Sequence, residues 1–350
     1  MKVEEFLELF EPMRSENPGF VDRVQSSIRK LHANLMFRSQ CAVVSISGGS
    51  DSDVMLDMIQ ALEPEKNYPD AKLHYVWFNT GLEYTATKEH LSYLEEKYGI
   101  TIERIRAKTP VPLGCKEYGQ PFISKQFSQY ISRLQSHGFK WEDKPFDVLY
   151  QRHPNCKAAL RWWCNGWGPD SRTNISKCRL LKEFMVENPP DFLISDGCCK
   201  GAKKDVAHDY IKDIRACINM VGIRQAEGGV RATAYNSCFT EASKKSEAAQ
   251  FRPIFYITDQ DKELYCNIRK VVHSDLYEKY GFKRTGCACC PFGSRFEQEL
   301  EVAEQLDPRL ANAAKKIFAS AYEYTRAYRA FKAEHDANKK SDSNQTSLWD

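Results

Sequence analysis

Apolar residues recur along this chain with two alternating periods, and the alternation predicts the fold. Between residues 18 and 38 they fall three and four apart, as on a helix with one buried face. Gln40 to Ile46 is a nearly continuous apolar run, the mark of a strand covered on both faces, and residues 53–63 return to the helical period. A second strand is expected at Leu73–Phe78, a helix at about 86–98 and a third strand at Ile102–Ala107. Apolar runs at Phe192–Ser195 and Met220–Ile223 would add further parallel strands. Strand and helix in alternation give an α/β chain, a doubly wound parallel sheet that binds ligands at the carboxyl edge of its strands.

Between Lys108 and Asn188 both periods loosen into a stretch rich in aromatic and basic residues, among them Tyr118, Phe127, Tyr130, Arg133, Trp141, Arg161, Trp162, Trp163, Trp167, Arg172 and Arg179. It is expected as a helical insertion. Such side chains could stack bases and track phosphates, or the tryptophans could be core and the cations a solvated face. The predicted organisation is a helical segment at 1–38, a main domain at 39–295 carrying the insertion at 108–188, C-terminal helices at 296–337, and a disordered tail at 338–350.

Chemistry enters at Val43-Val44-Ser45-Ile46-Ser47-Gly48-Gly49-Ser50-Asp51-Ser52, where a strand empties into a Gly-Gly, hydroxyl-rich turn and then into a helix. The glycines permit a tight turn, freed amides form an anion nest, and the helix aims its positive end at the same place. Ser47, Ser50 and Ser52 add hydroxyls. The pattern is neither G-x-x-x-x-G-K-[ST] nor G-x-G-x-x-G.

The thirteen cysteines are an odd number scattered along 350 residues, which describes no disulfide framework and points to a reducing compartment. The N-terminus has no basic segment followed by an apolar one, and no run approaches a membrane span, so the cytoplasm is the expected location. A formal net charge of +3 does not by itself argue for nucleic acid. Adjacent Cys198 and Cys199, with Cys287 and Cys290 in Gly286-Cys287-Ala288-Cys289-Cys290-Pro291, could together hold a metal centre. Adjacent cysteines are awkward for a zinc tetrahedron, so an iron–sulfur cluster is favoured, with zinc and buried structural thiols as the alternatives. Cys238 and Cys289 are spare candidates.

The S-G-G-x-D-S loop resembles the pyrophosphate loop of the PP-loop ATP pyrophosphatase and phosphoadenosine phosphosulfate (PAPS) reductase-like family. Cys-Cys followed far downstream by Cys-x-x-Cys is similar to the [4Fe–4S] ligand set of assimilatory adenylyl-sulfate reductases in that family, where a lysine follows the pair at the position of Lys203. Asn79-Thr80-Gly81 resembles the D-T-G segment lining the family's adenine and ribose site, with Asn79 in place of the acid. Gly222-Ile223-Arg224-Gln225-Ala226-Glu227, with Arg231, resembles its G-x-R-x-x-E segment, an arginine facing phosphate or sulfate. Arg252-Pro253 to Asp261 resembles a scaffold segment in which Thr258 caps a helix over 259–272.

The resemblance implies an adenine nucleotide alpha hydrolase-like (HUP-type) fold with a C-terminal helical extension. It implies ATP with Mg²⁺ held by Ser47, Gly48, Gly49, Ser50, Asp51, Ser52, Asn79, Thr80, Gly81, Gly222 and Arg224, with Asp51, Lys203 and Arg224 as catalytic residues. The implied reaction is adenylation of a substrate with pyrophosphate release, followed by sulfur transfer, as in iron–sulfur enzymes that thiolate DNA or transfer RNA. A nucleic-acid acceptor and a sulfur donor such as a cysteine desulfurase would be partners. A sulfonucleotide reductase would attack with a cysteine in a C-terminal E-C-G-L-H segment, and this chain has no cysteine after Cys290, so that reading ranks second. A nucleotide-binding regulatory subunit without turnover ranks third.

Overall fold

Ala42–Ser45 (β1) is one of the two central strands of the sheet in the computed structural model, which describes the backbone of residues 1–228, 235–243 and 247–346 and side chains to residue 337. Leu73–Asn79 (β2), Ile102–Arg106 (β3), Ile218–Val221 (β4), Phe239–Thr240 (β5) and Ala249–Phe251 (β6) join it in the order β3-β2-β1-β4-β6-β5. All pairs are parallel except β5 with β6. The order reverses between β1 and β4, and at such a switch point the loops leaving neighbouring strands part and open a crevice.

Three expected strands are present with nearly the expected ends, and the fourth begins earlier, at Ile218. Phe192–Ser195 is not a strand of this sheet. It follows Pro189 and Pro190, and its Ile194 makes an isolated parallel bridge to Gln120. The three-residue β6 is too short to show a period.

The chain forms two compact units, Met1–Pro110 with Gly201–Ala288, and Val111–Lys200 with Cys289–Asp350. In the first, alternation along β1 assigns Ala42 and Val44 to one face, packed with Val24, Ile28 and Leu31 of the helix Pro18–Phe37 and Met55 and Ile59 of the helix Ser50–Ala61. Val43 faces the opposite layer, with Val76, Ile211 and Ala216. Burial on both sides explains the nearly continuous apolar run of β1. Asp57, 1% exposed, ties this frame together. It accepts from Tyr265 Oη at 2.7 Å, Arg269 Nε at 2.9 Å and Tyr98 Oη at 3.1 Å, so the helix Ser50–Ala61 is bound to the helix Asp259–Arg269 by a satisfied buried charge. Thr258 caps the latter helix as expected, accepting from Asp261 N at 3.1 Å while Asp261 Oδ2 accepts from Thr258 N at 2.9 Å.

The second unit is helical, with Val111–Tyr118, Lys125–Ser136, Lys157–Trp163, Phe296–Leu306, Pro308–Ile317 and Ala319–Thr346 among its helices. Its core gathers Phe127, Phe139, Trp141, Trp162, Trp163 and Phe184 against Tyr324 and Tyr328. Trp162 and Trp163 are wholly buried, so these tryptophans are core and offer no stacking platform to a nucleic acid. The backbone is helical through Thr346, where a disordered tail was expected from residue 338. Residues 319–346 contain no glycine or proline to stop the helix. Among the described residues no helix is long and apolar enough to cross a membrane.

Candidate functional site

The Gly-Gly turn sits where β1 ends, in the first unit, and its shape is fixed by its own side chains. Gly48 has φ +69°, and a Cβ there would also meet Thr87 Cγ2 at 2.7 Å, so sterics demand glycine twice over. Ser52 Oγ donates to Gly49 O at 2.7 Å and accepts from Gly49 N at 3.2 Å and Ser47 N at 3.3 Å. Ser52 thus holds the turn closed. A Cβ on Gly222, which follows β4, would lie 2.9 Å from the Asp51 carbonyl and from Ser52 Cα, so the two strand ends at the switch point touch backbone to backbone.

This contact delivers Arg224, 3% exposed, to the loop. Its Nε donates to Asp51 Oδ1 at 2.8 Å and its Nη2 pairs with Asp259 at 2.9 Å. Lys262 Nζ reaches the same Asp51 oxygen at 3.0 Å and Ser50 Oγ at 2.9 Å. Burial pushes the Asp51 carboxyl up, but a hydrogen bond with Glu227 and the charges of Lys262 and Arg224 outweigh it and bring Asp51 down to about 2. The carboxylate is therefore ionised at neutral pH.

A cavity of about 520 Å³ opens over this cluster, lined by Ser47, Gly49, Ser50, Asp51, Ser52, Lys203, Gly222 and Arg224 from the expected set. Glu227, Lys262, Tyr277, Arg284 and Thr285 line it as well. Tyr277 Oη accepts from Thr285 N at 3.0 Å and hydrogen-bonds the Ser50 amide, so a hydroxyl sits in the nest the turn creates. Nothing local in the sequence marks Lys262 or Tyr277. They arrive through the packing of the helix Asp259–Arg269 and the turn at Asp275–Glu278.

A second cavity of about 120 Å³ is lined by Ser45, Ile46, Ser47, Trp77, Phe78, Glu83, Lys203, Thr285 and Gly286. Asn79, Thr80 and Gly81 line neither cavity and instead build the turn that orients Glu83. Asn79 Oδ1 accepts from Gly81 N at 2.9 Å, and the fully buried Thr80 donates to Glu83 Oε1 at 2.5 Å. Burial raises the Glu83 carboxyl while the charge of Lys203 opposes the shift. Lys203, on the π-helical turn Lys200–Asp205, borders both cavities. Arg231 lies outside the described residues.

The expected metal ligands divide between the units, Cys287 in the first and Cys198, Cys199 and Cys290 in the second. Within the second unit Cys198 hydrogen-bonds Cys115 and Cys199, and the Cys290 thiol is close enough to act on it through its charge. The bond to Cys115 is the main cause that pushes the Cys198 thiol up. Cys115 was not among the expected ligands, because it stands alone in the sequence, 83 positions before Cys198. Among the described residues none of the cysteines is in a disulfide, and no three or more His, Cys, Asp or Glu converge where a single metal ion would sit. A zinc tetrahedron would need all four sulfurs about 2.3 Å from one point. A four-iron cluster instead takes one thiolate at each of four separate corners, and free thiols, with Cys198, Cys199 and Cys287 buried and Cys290 half-buried, fit the chemistry of that donor set.

A glycine turn at the switch point of a parallel sheet, faced by arginine and lysine, is chemically suited to an oxyanion. The chain belongs to the phosphoadenosine phosphosulfate reductase domain family, whose model matches residues 41–135 and 176–292. The uncharacterized protein MJ0066 of Methanocaldococcus jannaschii is 26% identical over 286 residues, 81% of this chain and 43% of that protein. The chain thus spans less than half the length of that relative. Among solved structures, phosphoadenylyl-sulfate reductase from Candida auris in a phosphate complex is similar at 14% identity and a TM-score of 0.40, covering 75% of this chain and 87% of that one. The U34-tRNA thiolase NcsA from Methanococcus maripaludis with its [4Fe-4S] cluster gives 14% and 0.38, covering 88% and 79%.

Proposed function

We propose that the first unit binds ATP by its phosphates and adenylates a substrate, in support of sulfur transfer. The observation that carries this is the pair Arg224 and Lys262 converging on one Asp51 oxygen at the mouth of the Gly48-Gly49 turn. Two cations that share one carboxylate are poised to turn toward a polyanion, and that carboxylate, beside Glu227, can receive Mg²⁺. Bound magnesium would neutralise charge on the phosphates. In this reaction a substrate oxygen attacks the α-phosphorus, the bond to the bridging oxygen breaks, and pyrophosphate leaves with the electron pair. Loop amides, Lys203, Arg224 and Lys262 stabilise the departing charge. The smaller cavity, walled by Trp77 and Phe78, suits an apolar ring such as adenine.

Cys198, Cys199 and Cys290, with Cys287 as the sequence suggests, would hold a [4Fe–4S] cluster, which when bound supplies a soft iron site for sulfur. The acceptor in this proposal is a nucleic acid or small molecule, the donor a persulfide-generating enzyme, and the setting the cytoplasm.

Calorimetric titration with ATP and with adenylyl sulfate tests the nucleotide assignment, using the wild type, Arg224→Ala and Lys262→Ala. ATP binding that requires Mg²⁺ and falls at least tenfold in both variants supports it. Binding of adenylyl sulfate in preference to ATP would replace it with the sulfonucleotide reductase reading.

A further inference from the structure

We infer that Cys41 and Cys217 form a reversible redox pair, a site in the first unit that low-molecular-weight disulfides convert to an intramolecular disulfide. Neither thiol belongs to the expected metal-ligand set, and neither lines the two cavities. Cys41 immediately precedes β1 and Cys217 immediately precedes β4. These strands pair in parallel with Ala42 opposite Ile218, so one step back in the same register sets Cys41 opposite Cys217. The ladder is intact at that step: Cys217 N donates to Cys41 O at 2.8 Å, and Cys217 O accepts from Ala249 N at 3.0 Å. Alternation puts Cys41 on the face of Val43 and Ser45, and Cys217 on the face of Asn219. These are the same face of the sheet, since Ser45 Oγ donates to Asn219 Oδ1 at 2.8 Å. Neighbouring strands lie about 4.8 Å apart, within the roughly 4.4–6.8 Å between Cα atoms that a disulfide bridges.

The turn that delivers Cys217 is fixed. After the helix Val206–Asp213, Arg215 passes through the left-handed region at φ +54°, and Ala216 N donates back to Ile211 O at 2.9 Å. Cys41 Sγ donates to Ile214 O of the same turn at 3.4 Å. Cys41 is half-buried, and burial together with the neighbouring Cys217 pushes its thiol up while the charge of Lys72 opposes the shift. Cys217 is exposed and meets the oxidant first. Its thiolate attacks one sulfur of a small disulfide such as glutathione disulfide, and one small thiol leaves with the electron pair. Cys41 then attacks the Cys217 sulfur of the mixed disulfide, and the second small thiol leaves. The two protein sulfurs lose two electrons, and their two protons end on the two small thiols. The Cβ atoms of a disulfide stand about 3.8 Å apart, closer than the strands, so the bond draws β1 and β4 together and is of the readily reduced kind. It spans the two strands that flank the switch point, at the end opposite the Gly48-Gly49 turn.

The test incubates full-length protein, purified without oxygen, with glutathione disulfide, blocks the remaining thiols with N-ethylmaleimide and reads unreduced tryptic peptides by mass spectrometry. Trypsin cuts after Arg38, Lys66, Arg215 and Arg224, which leaves Cys41 and Cys217 each as the sole cysteine of its peptide, 39–66 and 216–224. Wild type should yield the two peptides linked, from chains that run as monomers on a non-reducing gel, and dithiothreitol should release both. Cys41→Ser lacks the thiol that resolves the mixed disulfide, so glutathione retained on Cys217 should rise at least tenfold over wild type. The linked peptide is read in the wild type and is independent of how the variant folds. A stable glutathione adduct on Cys217 of the wild type in place of the link, a link between chains, or a Cys217 that stays unmodified would each overturn the inference. So would equal adduct on Cys217 in wild type and Cys41→Ser.

Discussion

Replacing Gly222 by alanine isolates the contact between the end of β4 and the Gly48-Gly49 loop. The residue has no left-handed φ, so alanine meets no backbone strain there, and the effect comes from the added methyl alone. Its Cβ would stand 2.9 Å from Asp51 C, Asp51 O and Ser52 Cα, all atoms that no rotamer change can move. Carbon–carbon contacts are comfortable at about 3.5–4.0 Å, so β4 and the loop must part by roughly half an ångström or more. Overpacking of this kind costs about 1–3 kcal/mol. The same displacement carries Arg224 away from Asp51 and opens the turn that Ser52 closes. Misplacement on the order of 1 Å costs about a hundredfold in a positioned site, so ATP affinity should fall about tenfold to a hundredfold. Urea denaturation measures the first effect and calorimetry the second. Gly99→Ala serves as a control, since a Cβ there meets nothing within 4 Å and the cost is only that of a φ of +65°. If Gly222→Ala matched wild type in both assays, the backbone contact at the switch point would not govern the site.

Asp57→Ala removes the common acceptor of Tyr265, Arg269 and Tyr98 and leaves a half-buried guanidinium without its carboxylate, so urea denaturation should show a loss of about 3 kcal/mol or more. Asp51, held at about 2, has a folded value below its unfolded one, so its contribution to stability is complete above about pH 4 and is lost as pH falls through about 2. The difference in urea midpoint between wild type and Asp51→Asn should accordingly shrink between pH 6 and pH 2.5. Burial raises the Cys266 thiol to about 12, so iodoacetamide at pH 8 should modify the exposed Cys217 and leave Cys266 intact, as read by peptide mass spectrometry. Trp163→Ala should cost about 3–5 kcal/mol through the cavity it leaves in the second unit, and Trp163→Phe about 1–3 kcal/mol by the same measurement, since it keeps most of the packing but loses the hydrogen bond from Nε1 to Glu142 O at 3.1 Å.

The parts of the fold that were legible in the sequence are those where a local rule and the tertiary environment agree. β1 and β2 are buried on both faces, so their apolar runs stand out, and Thr258 with Asp261 satisfies its helix end from within four residues. The Gly48-Gly49 turn is legible for the same reason, since its demand for glycine comes from its own φ. Phe192–Ser195 misled because apolarity reports burial and not the partner. The burial of Ile194 is real, but it lies in the aromatic core of the second unit. The same ambiguity kept two readings open for Trp141, Trp162 and Trp163, whose spacing fits a stacking surface as well as the core they form.

The site divides along a similar line. Asp51 and Arg224 were found through short motifs because each stands beside the glycine that positions it, in Gly49-Ser50-Asp51 and in Gly222-Ile223-Arg224. Lys262 and Tyr277 have no such neighbour to announce them as lining residues. Lys262 reaches Asp51 because Asp57 and Asp261 fasten its helix, through Tyr265, Arg269 and Arg23, to elements far away in sequence. A side chain that acts through such a chain of packed charges leaves no periodicity and no spacing to read. Its signature is the buried network itself, and in this protein two buried aspartates, Asp57 and Asp261, are what bring a second cation to the loop.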